Sequence, residues 1–424
     1  MRPELSIPAA AAPAATHSRL ARALRARLLQ QLGGLAHGYI LIEDAGGRIG
    51  LGAPDAPLRA RLTVHDGAFY TAVAARGSVG AAEAYRDGLW SCDDLVALVR
   101  ILVLNRALLD ALEGGAARLA GWLLRAAHAL RRNTLAGSRH NIAAHYDLGN
   151  EFFALFLSPD LMYSAALWEK SEDTLAQASE RKLARICARL ALSARDHVLE
   201  IGTGWGGFAL HAAARHGCRV TTTTISREQQ RLALERVRRA GLEDRVTVLL
   251  EDYRTLTGRY DKLVSIEMIE AIGADYLETY FAQLGRLLAP TGLALLQAIT
   301  IEDHRYTRAL RSVDFIKQHI FPGSFIPSIQ AMLNAKGRAC ELALVHLEDF
   351  ALSYARTLEA WRRAFLERRA QVRALGFDER FIRMWEYYLA YCEGGFRERS
   401  IGVAQLLFAA PGYRCATAGG LAAA

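Results

Sequence analysis

Ten residues near the middle of the chain, 198–207, constrain its fold more than any other stretch, and they read Val-Leu-Glu-Ile-Gly-Thr-Gly-Trp-Gly-Gly. Apolar residues lead into the glycines, and a mostly apolar run at 208–214 follows them. This order predicts a buried strand, a tight turn and a helix. Glycines in such a turn let a ligand approach the backbone where a Cβ would collide. The turn also lies at a helix N-terminus and at the carboxyl end of a strand, where open α/β sheets bind their ligands.

Two classes of nucleotide site compete for this turn. The spacing of Gly202, Gly204 and Gly207 also occurs in dinucleotide-binding folds, which place an acidic residue about twenty positions further on, at the end of the next strand. Here that strand, residues 219–225, ends in Thr-Ile-Ser without a carboxylate. Glu200, inside the first strand, is typical of methyltransferases, in which an acid lies beside the charged amino-acid end of a sulfonium cofactor. The pattern therefore favours a methyltransferase over a dinucleotide-dependent enzyme.

The length of 424 residues predicts two domains. We expect a disordered tail at 1–17, an N-terminal α+β domain at 18–130, a polar linker at 131–145 and a larger domain at 146–424. In the first domain, leucines every fourth residue from Leu20 to Leu32, interleaved with arginines, predict an amphipathic basic helix. Strands are expected near 39–43, 58–64 and 69–73, and helices at 95–109 and 116–130.

The larger domain alternates strand-like and helix-like segments up to about residue 300. Strands are expected at 197–201, 219–224, 246–250, 261–266 and 292–299, followed by a mainly helical stretch at 300–395 and a closing strand at 401–408. This alternation predicts the α/β class, with a doubly wound parallel sheet.

The net charge of +8 is concentrated at the front of the chain, because residues 1–140 hold 17 Arg and no Lys against 11 Asp and Glu. A basic front suggests an acidic partner surface, either nucleic acid or anionic lipid, and ordinary solvated arginines explain it equally well. No secretion signal or membrane-spanning run is present, and the six cysteines lack metal-like spacing. We therefore expect free thiols in a reducing cytoplasm and no bound metal.

Seven further segments resemble a single enzyme family. They are 145–153 (His-Tyr-Asp-Leu-Gly-Asn-Glu-Phe-Phe), 162–168 (Met-Tyr-Ser-Ala-Ala-Leu-Trp), 224–229 (Thr-Ile-Ser-Arg-Glu-Gln), 251–254 (Glu-Asp-Tyr-Arg), 265–270 (Ser-Ile-Glu-Met-Ile-Glu), 321–323 (Phe-Pro-Gly) and 395–397 (Gly-Phe-Arg). Together with the glycine turn, they resemble the cyclopropane fatty acid synthase family, which includes the mycolic acid cyclopropane synthases. The resemblance extends over roughly residues 80–408, and the motifs occur in the same order as in the family. It is therefore much more specific than a lone glycine motif. Residues 77–80 and 87–90 also resemble the small lipid-associated domain of the bacterial enzymes.

The resemblance implies a Rossmann-like class I methyltransferase domain that uses S-adenosyl-L-methionine. It assigns cofactor-binding roles to Tyr163, Ser164, Glu200, Gly202, Thr203, Gly204, Trp205, Gly206, Thr224, Ile225, Gln229, Asp252 and Tyr253, the last two beside the adenine. Thr224 and Gln229 lie where dinucleotide-binding folds have an acidic residue that binds the ribose. Their hydroxyl and amide groups can form hydrogen bonds to the ribose without a charge.

The resemblance also implies a reaction at the cis double bond of an unsaturated phospholipid acyl chain, whose π electrons attack the sulfonium methyl. A base then removes a proton, and the carbon that loses it decides between a cyclopropane ring and a methyl-branched or methylene chain. In the family this base is a bicarbonate ion held by a small polar cluster. The glutamate of that cluster corresponds to Glu270, and its backbone contributor corresponds to Ile299.

Three positions of the cluster depart from the family pattern. Ala165 replaces a cysteine, Gln297 replaces a histidine and His319 replaces a tyrosine. Gln297 still offers a hydrogen bond, and His319 offers a donor or a base. Both therefore remain candidate catalytic residues with Glu270 and Ile299. Because the cysteine is lost, ring-free C-methylation for methyl-branched, methylene or furan fatty acids is the alternative to ring formation.

Other residues near these motifs have structural explanations. A second acid, Glu267, could together with His319 shift the site of proton removal, but the favoured expectation is that it caps a helix that starts near Ile269. A set of aromatic residues at helical spacing is expected to be core more than a channel for an acyl chain: Phe381, Trp385, Tyr387, Tyr388 and Tyr391.

The expected partners are unsaturated phospholipid acyl chains and an anionic membrane surface, with no nucleic acid, and a homodimer is compatible with the sequence. The expected location is the cytoplasm, at the periphery of the inner membrane. Two other classes compete. A lipid-carrier protein that kept the fold would have no use for a cofactor site. A nucleic-acid methyltransferase would fit the basic front, but the chain lacks the Pro-Pro-aromatic motif of amino-methylation.

Overall fold

The computed structural model describes residues 18–108 and 148–414, which fall into two compact units, one within residues 1–120 and one within 121–424. The expected tail at 1–17, the helix at 116–130 and the linker at 131–145 lie outside the described residues, as does the start of the 145–153 motif. Within the described part of the chain, no helix combines the length and the apolar character needed to span a bilayer.

The described part of the N-terminal unit contains these elements: α1 (Arg19–Leu32), β1 (Tyr39–Asp44), β2 (Gly47–Gly52), β3 (Arg59–Val64), α2 (Ala68–Arg86), β4 (Trp90–Cys92) and α3 (Leu95–Leu104). The strands form one sheet in the order β2-β1-β3-β4. Strands β1 and β3 run parallel, and the other neighbours run antiparallel. Alternate residues of β1, Ile40 and Ile42, are buried, as expected for a sheet with one covered face. The predicted α+β character is confirmed.

Helix α1 confirms the predicted basic helix. Ser18 caps it, because the Ser18 hydroxyl accepts a hydrogen bond from the Ala21 N–H at 3.1 Å. Leu28 and Leu32 are buried, whereas Leu20 is 61% exposed. The helix therefore packs through these two leucines and Ala21, and it leaves an apolar side chain in solvent at its start.

One predicted strand of this unit is wrong. Residues 69–73 begin helix α2 instead, in which Phe69, Tyr70 and Val73 are buried. These three residues share one face of a helix, whereas in a strand Tyr70 would point away from Phe69 and Val73, and a run of alanines downstream extends the helix. Strands β2 and β4 were not predicted, because β2 is rich in glycine and β4 has three residues.

The described part of the C-terminal unit is larger. Its helices are α4 (Asn150–Ala154), α5 (Leu175–Arg189), α6 (Gly207–His216), α7 (Arg227–Arg239), α8 (Leu277–Leu287), α9 (Asp303–Leu310), α10 (Ile329–Ala339), α11 (Ala351–Glu367), α12 (Arg369–Ala374) and α13 (Glu379–Arg397). Its strands are β5 (His197–Ile201), β6 (Arg219–Thr224), β7 (Val246–Leu250), β8 (Tyr260–Ile266), β9 (Leu288–Ile301), β10 (Ala343–Asp349) and β11 (Ile401–Ala409).

These seven strands form one sheet in the order β10-β11-β9-β8-β5-β6-β7. Strands β5 to β9 pair in parallel, and β11 runs antiparallel to both β9 and β10. The strands predicted at 197–201, 219–224 and 246–250 are confirmed, and those predicted at 261–266 and 292–299 are longer than expected. Strand β10 falls inside the stretch predicted to be mainly helical. It lies at the sheet edge with alternately exposed residues, so it lacks the apolar run of the central strands.

Strand β5 lies at the centre of the sheet, between β8 and β6. Its side chains alternate between two apolar cores, with Leu199 and Ile201 in one and Val198 in the other. The chain runs from β5 outward to β7 and then returns to the other side of β5 as β8. The strand order thus reverses beside β5, and at such a switch point the loops after neighbouring strands separate and leave a crevice for a ligand.

Candidate active site

The glycine turn after β5 presents bare backbone at this crevice. Gly202, Gly204 and Gly206 all have left-handed φ values, 103°, 51° and 85°. The N–H groups of Gly202 and Thr203 each donate to the Thr223 carbonyl at 3.0 Å, which fastens the turn to β6. A Cβ added at Gly204 would meet no atom within 4 Å, so the backbone there borders open space that a side chain would enter. The turn therefore fits the amino-acid end of the cofactor that the sequence implies.

A buried acid lies directly before this turn. Glu200 is 2% exposed, and the Thr222 hydroxyl donates to its Oε2 at 2.6 Å. Burial raises the pKa of Glu200 to about 8, against the opposing effects of Thr222 and the Lys182 ammonium. Lys182 is also fully buried, donates to Ser164 Oγ at 2.8 Å, and has its pKa lowered by burial to about 8 against the attraction of Glu267 and other acids. One buried cation thus influences both Glu200 and Glu267.

Neutral polar side chains form a hydrogen-bonded cluster at the end of β6. The Thr224 hydroxyl donates to Gln229 Oε1 at 2.7 Å and accepts from the Ser226 N–H at 3.1 Å. The Ser226 hydroxyl caps α7 by accepting from the Gln229 N–H at 3.3 Å. Thr224 and Gln229 are buried, and Ile225 is half-buried between them. The predicted cofactor residues of this segment therefore lie together at the carboxyl edge of the sheet.

The loop after β7 holds the two residues expected beside the adenine. The Asp252 carboxylate accepts from the Arg254 N–H at 3.0 Å and pairs with the Arg254 guanidinium at 2.7 Å. Tyr253 is buried, and its hydroxyl has no hydrogen-bond partner among the described residues. Because buried polar groups are nearly always hydrogen-bonded, this hydroxyl is suited to meet a ligand.

The segment before β5 packs against the aromatic part of the unit. The hydroxyl groups of Tyr163 and Tyr388 lie 2.8 Å apart, and the Tyr163 ring lies 5.3 Å from the Trp361 ring. The Trp205 indole, in the glycine turn, donates to Asn150 Oδ1 at 2.6 Å. These contacts anchor both predicted cofactor segments to α4, α11 and α13.

Glu270 and Ile299 meet as the sequence predicted. The Ile299 N–H donates to Glu270 Oε1 at 2.5 Å. The other carboxyl oxygen, Oε2, is buried and has no hydrogen-bond partner within the described ranges. Burial, together with the nearby Glu267 carboxylate, raises the pKa of Glu270 to about 8. Burial therefore favours the neutral form of the Glu270 carboxyl group.

Glu267 is the centre of a polar cluster, and the prediction that it caps a helix is wrong. Met268 directly precedes the 3-10 turn Ile269–Ala271, and no side chain caps this turn. The Glu267 Oε1 accepts from the Ala165 N–H at 2.9 Å and from Gln297 Nε2 at 2.7 Å. Its Oε2 accepts from the Tyr354 hydroxyl at 2.8 Å. Backbone and side-chain donors from three separate segments thus converge on one carboxylate.

Two positions of this cluster differ from the sequence-based assignment. His319 lies in the π-helical turn Ile316–Ile320, with its ring 5.5 Å from the Phe315 ring. The aromatic hydroxyl that reaches the cluster belongs to Tyr354. No sequence motif pointed to Tyr354, which lies on a helix that follows the edge strand.

The donors that were expected to hold bicarbonate are already engaged. The Gln297 amide and the Ala165 backbone N–H both bond to Glu267, and the Ile299 N–H bonds to Glu270. A bound anion would place a further negative charge against the Glu267 carboxylate without a donor of its own from this set. The residues present therefore do not fit bicarbonate.

The aromatic set on α13 contributes to the core, as expected. Trp385, Tyr387 and Tyr388 are buried. The Trp385 ring packs edge-on against the Phe152 ring at 4.9 Å, and the Phe381 ring stacks on Trp385 at 5.6 Å. These contacts support the core interpretation.

One further grouping was not expected from the cysteine spacing. Helices α5 and α6 bring Cys187, His211 and His216 together, with ligand atoms within 4.8 Å of one another. Burial raises the pKa of the Cys187 thiol to about 12. In the absence of an ion, burial therefore favours the neutral thiol.

Comparison with known proteins gives a consistent result. Residues 134–406 match the sequence profile of the mycolic acid cyclopropane synthetase family. The chain is 38% identical over 410 residues to the tuberculostearic acid methyltransferase of Mycobacterium tuberculosis, which covers 94% of this chain and 92% of that protein. It is 36% identical over 376 residues to the cyclopropane-fatty-acyl-phospholipid synthase of Escherichia coli (strain K12), which covers 87% of this chain and 91% of that protein.

A solved structure agrees with these matches. The crystal structure of a mycolic acid cyclopropane synthase complexed with SAH and CTAB aligns with a TM-score of 0.60 and 29% sequence identity. The alignment covers 64% of this chain and 98% of that chain.

Proposed function

This chain belongs to the mycolic acid cyclopropane synthetase family of S-adenosylmethionine-dependent methyltransferases, and from that premise we propose that it transfers a methyl or methylene group to the cis double bond of an unsaturated phospholipid acyl chain. Cyclopropane formation is the first candidate outcome. The observation that carries the proposal is the pair of buried carboxyl groups, Glu267 and Glu270, which follow β8 at the edge of the sheet that holds the glycine turn.

The cofactor is proposed to bind along this edge. The bare backbone of Gly202 and Gly204 would admit its amino-acid end, with Glu200 supplying the negative charge for its ammonium group. Asp252 and the unpartnered Tyr253 hydroxyl would lie beside the adenine. The bound methyl group would then lie near the ends of β5 and β8, because the Met268 side chain lies 3.3 Å from the position of a Cβ at Gly202.

The proposed reaction requires a group that accepts one proton. S-adenosylmethionine supplies an electrophilic methyl group, which the π electrons of the double bond attack while the C–S bond breaks and its electron pair stays on a neutral thioether. Because the leaving group is neutral, proximity and the exclusion of water supply most of the catalysis. The cation left on the acyl chain then loses a proton. Loss from the new methyl group closes a three-membered ring, and loss from a neighbouring carbon leaves a ring-free product.

The catalytic residues that we propose are Glu270, Ile299, Gln297 and His319. The Ile299 N–H fixes the Glu270 carboxyl group, whose raised pKa suits the exchange of a proton near neutral pH. Gln297 is positioned by Gln405, which donates to Gln297 Oε1 at 3.0 Å and so leaves the Gln297 amide nitrogen directed at Glu267.

A second candidate, ring-free C-methylation, is favoured by a specific observation. The cluster lacks the cysteine, histidine and tyrosine of the ring-forming pattern and contains an additional carboxylate at its centre. The 38% identity to a tuberculostearic acid methyltransferase, over nearly the full length of both chains, supports the same product class.

The experiment for the activity uses the purified full chain, S-adenosylmethionine and vesicles of a phospholipid with cis-monounsaturated acyl chains. We expect SAH to form in proportion to modified acyl chains, and vesicles with saturated acyl chains are the control. No SAH above that control would refute the proposal. Mass spectrometry of the released fatty acids then separates the products, because a ring and a methylene group add the same mass but fragment differently.

We also propose that the protein works at an anionic membrane surface on the cytoplasmic side. The support is the excess of arginine in residues 1–140 and the exposed face of α1. A basic surface gains free energy near anionic lipid in proportion to the number of charges that approach it.

A further inference from the structure

Glu267 has a backbone conformation that a glutamate rarely adopts. Its φ is +49°, in the left-handed region where glycine is favoured and side chains with a Cβ are strained. Its N–H donates to the Gln297 carbonyl at 2.8 Å, so the neighbouring strand β9 fixes this conformation. Strained backbone concentrates at functional sites, where the surrounding structure holds it. The conformation directs the Glu267 carboxylate to the three donors of the polar cluster.

The donor set around Glu267 has the character of an anion site. Two N–H groups, from Ala165 and Gln297, and one hydroxyl, from Tyr354, converge on its two oxygens at 2.7–2.9 Å. The sequence resemblance implied that a cluster including Gln297 would hold a free bicarbonate ion as the base. In this chain the same amide holds a carboxylate that is covalently part of the protein.

We propose that Glu267 is the resident base of this enzyme and occupies the place of the dissociable anion, so that catalysis needs no bicarbonate. This inference rests on the proposed function, since it names the group that completes that reaction. The Glu267 carboxylate accepts one proton from the acyl-chain cation. The electron pair of the broken C–H bond closes the ring or forms the new double bond, and the positive charge is thereby cancelled.

The groups that face Glu267 are suited to this role. Tyr354, Gln297 and the Ala165 N–H stabilise the ionised form, while burial opposes it and raises the pKa of Glu267 above its usual range. The Lys182 ammonium lies within electrostatic reach and favours the carboxylate. Among other residues of the described chain, only Ile299 donates, through its N–H, to Glu270, whose pKa is raised by burial and by the nearby Glu267 carboxylate. The richer donor set at Glu267 therefore favours the negative charge there.

The test compares two variants in buffer purged of carbon dioxide, with and without added bicarbonate. Glu267→Gln keeps the size of the side chain and removes the base, and we expect a loss of turnover of about 100-fold. Glu267→Gly removes the carboxylate at a position where the backbone already suits glycine. We expect a similar loss without bicarbonate and a recovery of about tenfold when bicarbonate is added, because the donors are then free to hold it. The wild type should respond by less than about twofold to either condition.

Arg399→Gly is the matched control. Arg399 also has a left-handed φ, +52°, and forms an ion pair with Asp349. It tests the effect of relieving backbone strain outside the polar cluster, and its turnover should be unchanged and insensitive to bicarbonate. Calorimetric binding of SAH to every variant checks that the cofactor site is folded.

Each outcome decides the inference. Wild-type turnover that collapses without bicarbonate would overturn it, as would a Glu267→Gln variant that keeps most of its activity or a Glu267→Gly variant that bicarbonate fails to revive. Failure of the proposed function looks different, because the wild type would then release no SAH with unsaturated vesicles under any of these conditions.

Discussion

At the scale of single residues, two features of this site are determined by backbone conformation. The glycine turn needs positive φ at Gly202, Gly204 and Gly206, which glycine adopts without strain. Glu267 adopts the same region in spite of its side chain. The first feature makes room for a ligand, and the second places a charge. The site therefore depends on residues with positive φ at the ends of β5 and β8. The glycines adopt this conformation without strain, and Glu267 adopts it with strain.

The turn yields a direct prediction. Gly204→Val puts a β-branched side chain at φ +51° and into the open space in front of the turn, so we expect SAH binding to fall by at least about 100-fold. Isothermal titration calorimetry measures the loss. Gly241→Val is the control, because Gly241 has φ +64° with nothing within 4 Å of its Cβ position and follows α7 at its surface end. Wild-type affinity in the Gly204 variant would contradict the cofactor assignment.

Glu200 predicts a pH dependence of cofactor binding. Its pKa of about 8 means that Glu200 is protonated below pH 8, and only its ionised form attracts the ammonium group of the cofactor. Affinity for SAH should therefore rise with pH up to about 8, by at most about tenfold per pH unit, and then level off. Lys182, the buried cation that influences Glu200, loses its charge in the same range.

Glu200→Gln is the variant that checks this explanation. The glutamine keeps the hydrogen bond from Thr222 and does not titrate. We expect weaker binding of SAH with a flat pH profile between pH 6 and about 8.5. A profile that keeps the wild-type slope would show that another group is responsible.

At the scale of elements, the polar cluster depends on how strands and helices are placed next to one another. Strands β8 and β9 pair in parallel, with Ile266 opposite Gln297, so the residue after β8 meets the Gln297 side chain. Helix α11 then brings the Tyr354 hydroxyl to the same carboxylate. Residues 293–301 of β9 also pair with β11, whose Gln405 orients Gln297. Four elements therefore fix the orientation of one carboxylate.

The contribution of α11 can be tested. Tyr354→Phe removes one of the three donors to Glu267 and leaves Oε2 buried without that bond, which should cost about 1–3 kcal/mol of local stability. We expect turnover to fall by about tenfold and the affinity for SAH to stay within about twofold, since Tyr354 contacts the base and not the cofactor turn. Tyr85→Phe, which removes a hydroxyl from a buried tyrosine of the other unit, is the control. Unchanged turnover in the Tyr354 variant would contradict the role of this bond.

At the scale of the whole molecule, the charge of the chain is divided unequally. Residues 1–140 carry most of the net charge of +8, and helix α1 exposes Arg19, Arg22 and Arg27 together with Leu20. A basic helix with an exposed apolar residue is suited to the interface of an anionic membrane. The carboxyl edge of the sheet in the other unit, by contrast, contains the buried acids of the active site.

This asymmetry predicts how the protein binds vesicles. Substitution of Arg19, Arg22 and Arg27 by Glu should weaken co-sedimentation with anionic vesicles by at least about tenfold, because each basic residue near the surface is worth about 1 kcal/mol. The same change at Arg215, Arg363 and Arg368, exposed residues of the C-terminal unit, alters the net charge equally and is the control. Wild-type binding should also weaken as salt is raised. Equal effects of the two triple variants would refute a specific role for α1.

The sequence by itself determined the parts of this protein that are local. The run from β5 through the glycine turn to α6, the parallel strands and the class of cofactor follow from patterns within about ten residues, because apolar periodicity and glycine act over that range. The segment at 69–73 shows the limit of such patterns, since five mostly apolar residues are compatible with a short strand and with the first turns of a helix. The pairing of Glu270 with Ile299 was found through family resemblance, and the structure places the two residues in contact.

Only the tertiary structure decided what Glu267 does. Its three partners lie 102, 30 and 87 residues away along the chain, at Ala165, Gln297 and Tyr354. A carboxylate that follows a strand can cap a helix, or it can accept hydrogen bonds from donors elsewhere in the chain. The residues next to it in the sequence do not distinguish these two cases. The outcome depends on which side chains the sheet order and helix α11 bring to it, and hydrogen bonds of this kind form only once those elements have packed.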